Sequence, residues 1–294
     1  MKRFDYLAPT NLGEALEMLA QKPEAVPLAG GTNVLVQIKE GHRSETALLS
    51  LRRVSELNQL SHGDEPTRAL VIGAGVTMKR IAADPLIRQR YQALTKAAGL
   101  IGSVQTRNMA TIGGNLCNAS PSADTAPPLL VFQAQAVLVR TWGERVIPLE
   151  DFFIGPGSTM LEEGELLKEL VVPPPARGTG SAYVRHIPRK AMDISVAGVA
   201  AAVTMEQDGI IRQAKIALGA VAPTPIRAWA AEDLLTGQLP ADSLLAEAGS
   251  AAAGEARPVE DVRASVAYRR HLVNVLTQDA LRQAIMNAEY QGER

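Results

Sequence analysis

Short apolar runs alternate with amphipathic stretches over the first fifty residues of the chain. The apolar runs are typical of strands, and the stretches between them carry apolar residues at helical spacing. Asn11, with Glu14 three positions later, predicts a capping box at the start of the first helix. The predicted strands are 4–6, 25–28 and 46–51, and the predicted helices are 11–18 and 32–39. This order is a strand–helix–strand–helix–strand unit, in which Gly30 and Gly31 form a strand-to-helix turn.

The pattern after residue 55 predicts a second α+β unit that opens with a β-hairpin. The strands of this hairpin are 57–60 and 69–72, and its polar tip is 61–66. Pro121 is suited to the first turn of a helix capped by Ser120. Further helices are predicted at 78–83 and 91–100, and further strands at 136–140, at 145–148 and in a segment that ends at residue 172.

Three consecutive prolines at 173–175 predict a linker, because proline continues neither a strand ladder nor a helix interior. Beyond them the predicted strands are 182–187, 195–205 and 212–220, and the predicted helices are 227–235, 244–254 and 266–287. We therefore predict an α+β fold with two domains. The first covers 1–175, with subdomains at about 1–55 and 56–175, and the second is a smaller α+β domain at 176–294.

Composition narrows the function classes. The chain has 294 residues, of which 46% are hydrophobic and 21% charged, and its formal net charge is −1. No basic stripe indicates nucleic-acid binding, and the longest apolar stretch, 196–203, is too short to cross a membrane. The first residues lack the apolar run of a signal peptide, so a cytoplasmic location is expected. The four histidines lack metal-site spacing, and Cys117 is the single cysteine. We accordingly predict no metal site and no catalytic residue in this chain.

The first glycine pair has the composition of an anion site. Glycine allows positive φ, which aligns successive backbone N–H groups into an anion-binding concavity. A helix beginning near Thr32 adds its own unpaired N–H groups, and the side chains of Thr32 and Asn33 are further donors. A pyrophosphate suits such a turn. A tight turn whose glycines only permit packing is equally compatible with the sequence, and both interpretations stay open.

A second glycine pair lies in 111–115, Thr-Ile-Gly-Gly-Asn, with a hydroxyl and an amide side chain at its two ends. Asp124 follows thirteen residues after Thr111, and its carboxylate is suited to accept hydrogen bonds from ribose or ribityl hydroxyls. An ordinary aspartate in the first turn of a helix is the alternative interpretation.

These segments together resemble the FAD-binding medium subunit of the xanthine dehydrogenase family of molybdenum hydroxylases. The resemblance rests on Ala-Gly-Gly-Thr-x-x-Leu from Ala29, on Gln-Thr-Arg-Asn-Met-Ala-Thr-Ile-Gly-Gly-Asn at 105–115, and on Ser-Pro-x-x-Asp at 120–124. The stretches 190–195 and 222–227 also look like the C-terminal domain of such subunits, so the resemblance covers nearly the whole chain.

The resemblance implies a two-part FAD-binding domain of the vanillyl-alcohol oxidase (PCMH) type, followed by a small C-terminal α+β domain. It also implies an electron-transfer subunit with noncovalent FAD that works with a [2Fe-2S] iron–sulfur subunit and a molybdopterin subunit, in a dimer of heterotrimers. Electrons would pass from the clusters through FAD to NAD or another acceptor. A xanthine dehydrogenase-like complex is the first expectation. A carbon monoxide, nicotinate or other N-heterocycle dehydrogenase is the alternative, and a stand-alone flavin oxidase is a more distant one.

The resemblance also assigns cofactor-binding residues, position by position. The pyrophosphate would lie against Ala29, Gly30, Gly31, Thr32, Asn33, Val34, Leu35 and Val36. Phosphate and ribityl groups would be held by Thr111, Ile112, Gly113, Gly114 and Asn115, with Asp124 taking hydroxyls. Ile101 would contact the flavin, Leu167 the adenine or the ring region, and Arg185 stands where many relatives have a lysine near the flavin.

Overall fold

The computed structural model describes residues 3–62, 69–189 and 192–292. Positions 63–66 of the predicted hairpin tip and residues 190 and 191 of the quoted C-terminal stretch therefore lie outside the described residues. None of the helices in these ranges combines the length and the apolar character that a bilayer span requires.

The first subdomain is the predicted strand–helix–strand–helix–strand unit. Its elements are β1 (Asp5–Leu7), α1 (Leu12–Gln21), β2 (Val26–Leu28), α2 (Val34–Lys39) and β3 (Ala47–Ser50). The three strands are parallel, in the order β1-β3-β2. The side chain of Asn11 caps α1 by accepting from the Glu14 N–H at 2.9 Å, as the capping pattern predicts. Helix α2 begins two residues later than predicted, so the turn before it is longer.

The second subdomain surrounds a five-stranded antiparallel sheet with short helices. Its elements, in chain order, are β4 (Leu60–His62), β5 (Leu70–Gly73), α3 (Met78–Ala83), α4 (Pro85–Arg90), α5 (Gln92–Leu100), α6 (Val104–Met109), α7 (Ile112–Cys117), α8 (Ala126–Val131), β6 (Gln135–Arg140), β7 (Gly143–Pro148), β8 (Phe153–Gly155), β9 (Ser158–Thr159) and β10 (Leu166–Val172). The sheet order is β4-β5-β10-β6-β7, and β8 pairs with β9 separately.

Two predictions in this subdomain are wrong. The segment 55–58 is a 3-10 turn and not the first strand of the hairpin, which begins only at Leu60. The helix predicted from Pro121 begins instead at Ala126. The physical reason is that the C-terminal domain holds the intervening segment in a turn: the Pro121 carbonyl accepts from the Ala220 N–H at 2.7 Å, and the Ser122 hydroxyl donates to the Ser195 carbonyl at 3.2 Å.

The C-terminal part of the chain is an antiparallel sheet with three helices. Its strands are β11 (Thr179–His186), β12 (Ala197–Met205), β13 (Ile211–Gly219) and β14 (Ile226–Arg227), paired in chain order. Its helices are α9 (Trp229–Leu235), α10 (Asp242–Glu255) and α11 (Val266–Gly292). The predicted helix at 227–235 therefore begins two residues later, because Arg227 pairs with β13.

This C-terminal sheet is buried on both faces, which joins the two domains tightly. Side chains alternate along β12: Val199, Ala201 and Val203 belong to the core formed with α10 and α11, whereas Ala200 and Ala202 belong to the core of the second subdomain. Helices α5 and α8 of that subdomain pack against strands of the C-terminal sheet. Residues of the motif at 120–124 thus lie next to residues that come much later in the sequence.

Candidate functional site

The first glycine turn presents a row of unpaired backbone donors. The chain leaves β2 at Leu28 and reverses through Gly31, whose φ is +69°. Among the described residues, no protein acceptor is found for the backbone N–H groups of 30–34, and the first amide beyond them that is bonded is that of Leu35, which donates to the Gly31 carbonyl. We call the N–H groups of 30–34 the amide cradle. Backbone N–H groups need a partner, so five consecutive free donors suit an anion with several oxygens.

A cavity of about 360 Å³ lies beside the amide cradle. Its walls are mainly apolar and aromatic, and include Phe4, Tyr6, Leu35 and Leu48, while Arg52 adds one cation. The carboxyl ends of β2 and β3 border it, which is the edge where open parallel sheets bind ligands. An apolar cavity next to a row of amide donors suits a nucleotide, with a flat base in the cavity and phosphates at the amides.

The structure brings the two glycine segments into direct contact. A Cβ atom on Gly30 would lie 2.0 Å from the Met109 carbonyl oxygen, so only glycine allows the two main chains to approach this closely. An added Cβ on Gly114 would lie 3.7 Å from the Ala29 Cβ. The predicted segments 29–36 and 111–115 therefore meet between the two subdomains.

The second glycine segment uses its backbone differently from the first. The N–H groups of Ile112 and Gly113 donate to carbonyls of the β5–α3 connection, and those of Gly114 and Asn115 donate to Thr111. A Cβ on Gly113 would lie 2.5 Å from the Ala74 Cβ, so this glycine serves close packing. In this segment the glycines and the backbone N–H groups therefore serve packing and hydrogen bonding within the protein.

The side chains at the two ends of this segment remain available to a ligand. The Asn115 Oδ1 atom accepts from the Thr125 hydroxyl at 2.6 Å, which fixes the orientation of the amide. Its Nδ2 group has no protein acceptor among the described residues. The Thr111 hydroxyl oxygen accepts from the Gly114 N–H at 3.1 Å, and its proton has no such acceptor either. The second segment thus offers side-chain donors where the first offers backbone donors.

Asp124 is a buried carboxylate that joins the two domains. It is 8% exposed and lies before α8, not in its first turn. Its Oδ1 atom accepts from the Tyr183 and Ser195 hydroxyls, each at 2.7 Å, and its Oδ2 atom pairs with the guanidinium of Arg185. Burial, together with the charge of Asp124, raises the pKa of Tyr183 well above its ordinary value, so the phenol stays neutral and donates.

Arg185 connects this carboxylate to the turn that carries Ile101. Its Nη2 atom donates to the Leu100 carbonyl at 2.8 Å, at the end of α5. The Arg107 guanidinium donates to the Ile101 and Gly102 carbonyls at 2.9 and 3.2 Å. Three consecutive carbonyls are therefore held by two arginines, and the predicted residues Ile101, Asp124 and Arg185 lie in one connected group.

Leu167 is placed differently from the other predicted residues. It lies on β10, opposite Leu138 of β6, and its side chain is 4% exposed in the core of the second subdomain. Its predicted contact with the cofactor stays a prediction.

Sequence reasoning did not assign roles to three residues of this site, namely Tyr183, Ser195 and Arg107. One available signal was the strand period, since Tyr183 and Arg185 are two residues apart on a predicted strand and so share a face. Cys117 is half-buried and packs against the core of the second subdomain, and this desolvation raises the pKa of its thiol to about 12.

The fold defines a class: two subdomains, one around a small parallel sheet and one around a larger antiparallel sheet, with a third α+β layer packed against the second. The candidate nucleotide site lies where the two subdomains meet. Family models identify the class more closely. Residues 2–175 match the FAD binding domain in molybdopterin dehydrogenase, and residues 182–284 match the CO dehydrogenase flavoprotein C-terminal domain. The chain belongs to this family of FAD-binding subunits of molybdenum hydroxylases, which are oxidoreductases, and its cofactor is FAD.

Individual relatives agree along the whole chain. The putative xanthine dehydrogenase FAD-binding subunit of Escherichia coli K12 is 33% identical over 284 residues, covering 96% of each chain. The carbon monoxide dehydrogenase medium chain of Hydrogenophaga pseudoflava is 34% identical over 284 residues, covering 96% of this chain and 97% of the relative.

Solved structures show the same fold. Carbon monoxide dehydrogenase from Hydrogenophaga pseudoflava, in a form that lacks the Mo-pyranopterin moiety, gives a TM-score of 0.92 at 33% identity and covers 97% of this chain and 98% of its own. Quinoline 2-oxidoreductase from Pseudomonas putida 86 gives a TM-score of 0.92 at 31% identity, and the match covers 99% of this chain and 100% of that one. These likenesses confirm the predicted fold class, a two-part FAD-binding domain followed by an α+β domain.

Proposed function

We propose that this chain is the electron-transfer flavoprotein subunit of a xanthine dehydrogenase-like molybdenum hydroxylase. In this proposal it receives electrons from the [2Fe-2S] clusters of a small partner subunit and passes them to NAD or another acceptor, while a large molybdopterin subunit oxidises the organic substrate. The assembly would be a cytoplasmic dimer of heterotrimers. The observation that carries the proposal is the amide cradle, five consecutive N–H groups with no acceptor among the described residues, beside an apolar cavity of about 360 Å³.

The residues present fit FAD in their chemistry. The amide cradle would hold the pyrophosphate, since its donors neutralise oxygens without a bound cation, and the cavity next to it would take the adenine. The free donors of Thr111 and Asn115 would bind phosphate or ribityl oxygens. Bound FAD supplies the conversion between one-electron and two-electron transfer, which is the chemistry that a relay between clusters and NAD requires.

The group formed by Ile101, Asp124 and Arg185 would face the flavin half of the cofactor. Asp124 keeps free acceptor capacity on Oδ2 beyond its pairing with Arg185, and a ribityl hydroxyl is a suitable donor to it. Arg185 would keep a fixed positive charge near the flavin, because its guanidinium is held by both the carboxylate and the Leu100 carbonyl. We propose that residues 1–175 form the FAD-binding domain and that residues 176–294 support it through this contact.

The side chains of this chain fit a role in holding a cofactor that relays electrons, and not a role in the chemistry of the organic substrate. Over the described ranges, no cluster of three or more His, Cys, Asp or Glu residues could hold a metal ion. The buried carboxylate Asp124 is paired with Arg185, and the buried Glu165, outside the site, is paired with Arg145. Substrate oxidation in this proposal therefore belongs to another subunit.

The test is to express the chain together with its neighbouring reading frames and purify the complex. We expect a yellow complex with a flavin spectrum, stoichiometric FAD released by denaturation without proteolysis, and iron–sulfur absorbance that bleaches together with the flavin when substrate is added. A complex that contains the chain but no FAD would refute the proposal. Reoxidation of the reduced complex by NAD⁺, compared with artificial dyes, identifies the acceptor.

The substrate of the complex is a separate question, because relatives with different substrates are equally similar. The nicotinate dehydrogenase FAD-subunit of Eubacterium barkeri is 33% identical over 242 residues, about as much as the xanthine and carbon monoxide dehydrogenase relatives. We propose xanthine first and carbon monoxide, nicotinate or another N-heterocycle as the alternative. Anaerobic titration of the complex with each compound, followed at the flavin absorbance, separates them.

A further inference from the structure

Arg269 on α11 is a buried arginine far in sequence from every motif of the FAD site. It is 4% exposed, and its Nη2 atom pairs with Asp261 Oδ1 at 2.8 Å. Its Nη1 atom donates to two backbone carbonyls, that of Val196 at 2.7 Å and that of Ala220 at 3.0 Å. One guanidinium group therefore holds together the start of β12 and the end of β13.

The two carbonyls that Arg269 holds belong to segments bonded directly to the Asp124 region. Val196 follows Ser195, whose hydroxyl donates to Asp124 Oδ1 at 2.7 Å. On the other side, the Ala220 N–H donates to the Pro121 carbonyl at 2.7 Å. The segment 121–124 is thus fixed at both ends by backbone that Arg269 holds.

The backbone at Ala220 shows that this arrangement is imposed by its surroundings. Its φ is +64°, in the left-handed region that alanine rarely adopts. Such a conformation persists only where neighbouring contacts fix it, and here the N–H bond to Pro121 and the carbonyl bond from Arg269 do so. Without the guanidinium, the Ala220 peptide can relax and release Pro121.

We propose that Arg269 is a positioning residue for FAD: it holds Ser195 and Pro121 in place and thereby fixes the Asp124 carboxylate at the cofactor. The inference rests on the proposed function and on the predicted contact of Asp124 with FAD. A role confined to the stability of the C-terminal domain is the alternative, and the two differ in what they predict for cofactor binding.

The test compares Arg269→Lys with Arg227→Lys in the full-length chain. Both arginines are buried in the C-terminal domain and pair with a carboxylate, but among the described residues the side-chain hydrogen bonds of Arg227 go to Glu232 and not to backbone carbonyls. Lysine keeps the charge and loses the fork that reaches two carbonyls. FAD titration of the cofactor-free chain gives Kd, visible circular dichroism reports the flavin environment, and thermal melting without FAD reports stability.

We expect Arg269→Lys to raise the Kd for FAD about tenfold and to change the flavin circular dichroism. Arg227→Lys should lower the melting temperature by a comparable amount, but its Kd for FAD and its flavin circular dichroism signal should stay within a factor of two of the wild-type values. Ser195→Ala should raise the Kd for FAD similarly. The Kd of the double variant Arg269→Lys/Ser195→Ala should be about that of the weaker-binding single variant, because both substitutions act on one carboxylate. Equal Kd values for Arg269→Lys and Arg227→Lys overturn the inference.

Two further outcomes keep the test decisive. If Arg269→Lys gives no folded protein, Asp261→Asn removes the carboxylate partner of Arg269 on a side chain that is 28% exposed. A rise in Kd of about threefold then supports the inference, and an unchanged Kd overturns it. If the unmodified chain binds no FAD, the proposed function fails, whereas FAD binding that is insensitive to Arg269 refutes only this inference.

Discussion

Gly30→Ala is the sharpest test of the site, because the substitution adds one methyl group where two backbone segments touch. The new Cβ would lie 2.0 Å from the Met109 carbonyl oxygen and 2.7 Å from its carbon. An ordinary contact of this kind needs about 3.3 Å, so the two segments must separate by about 1.3 Å. Both obstructing atoms are backbone, so no side-chain rotation relieves the overlap. Gly30 does not have a positive φ, and the effect is therefore steric.

The separation has a calculable effect on cofactor binding. A shift of about 1.3 Å moves part of the amide cradle out of hydrogen-bond range of a pyrophosphate held between the two segments. Loss of two charge-assisted bonds at about 1.5 kcal/mol each is about 3 kcal/mol. This weakens FAD binding by about 100-fold. Overpacking also lowers the free energy of unfolding by about 1–3 kcal/mol.

A matched control separates the two effects. Gly41 follows α2, has φ +81° and has no atom within 4 Å of an added Cβ. Gly41→Ala therefore costs about 1–2 kcal/mol of stability through its backbone conformation without touching the amide cradle. We expect urea unfolding to show comparable losses for both variants, and fluorescence titration with FAD to show the large loss for Gly30→Ala alone. Wild-type FAD affinity in Gly30→Ala would mean that the two segments do not grip one ligand.

Three further predictions address the charges and the thiol. Asp124→Asn leaves a buried guanidinium without its carboxylate, so it should lower the free energy of unfolding, measured in urea, by about 3–5 kcal/mol. As a control, Asp242→Asn removes an exposed ion pair and should lower the same free energy by less than about 0.5 kcal/mol. Backbone and guanidinium hydrogen bonds lower the pKa of Asp261 to about 2. The stability that its carboxylate contributes is therefore complete above the ordinary pKa and is lost as the pH falls from about 4 to 2. The difference in free energy of unfolding between wild type and Asp261→Asn should shrink over that range. Cys117 is half-buried, and desolvation raises the pKa of its thiol to about 12, so at pH 8 it should react with a thiol reagent more slowly in the folded chain than in guanidinium. Equal labelling rates in the two conditions would contradict the raised pKa.

Local patterns were sufficient for much of the fold. The parallel unit at the N-terminus and the strands of the C-terminal sheet follow from apolar runs and caps that lie within a few residues of one another. Helices α6 and α7 were not predicted, because α6 buries none of its side chains and so shows no apolar periodicity, and α7 contains two glycines, which have low helix propensity. Their stability comes from side-chain caps and from packing, which a single local window does not reveal.

The network around Asp124 lay beyond local reasoning for a different reason. Tyr183 and Ser195 meet this carboxylate across 59 and 71 positions of sequence, and a C-terminal sheet buried on both faces brings them there. Apolar patterning predicts that β11 and β12 exist but not which element covers their second face. The same packing turned the expected helix at Pro121 into a loop, so the missed partners and the wrong helix have one cause.

The two glycine segments show how similar motifs perform different tasks in one site. In the first, Gly31 takes a positive φ and the neighbouring amides find no acceptor in the part of the chain that the structure describes, which is what binding an anion requires. In the second, the amides are bonded within the protein and Gly113 is needed for contact with Ala74. Gly30 is required by both segments, because it is the point where they touch. Binding capacity therefore depends on which N–H groups the surrounding fold leaves unpaired, and a glycine pair in a sequence indicates a close approach of backbone before it indicates a ligand.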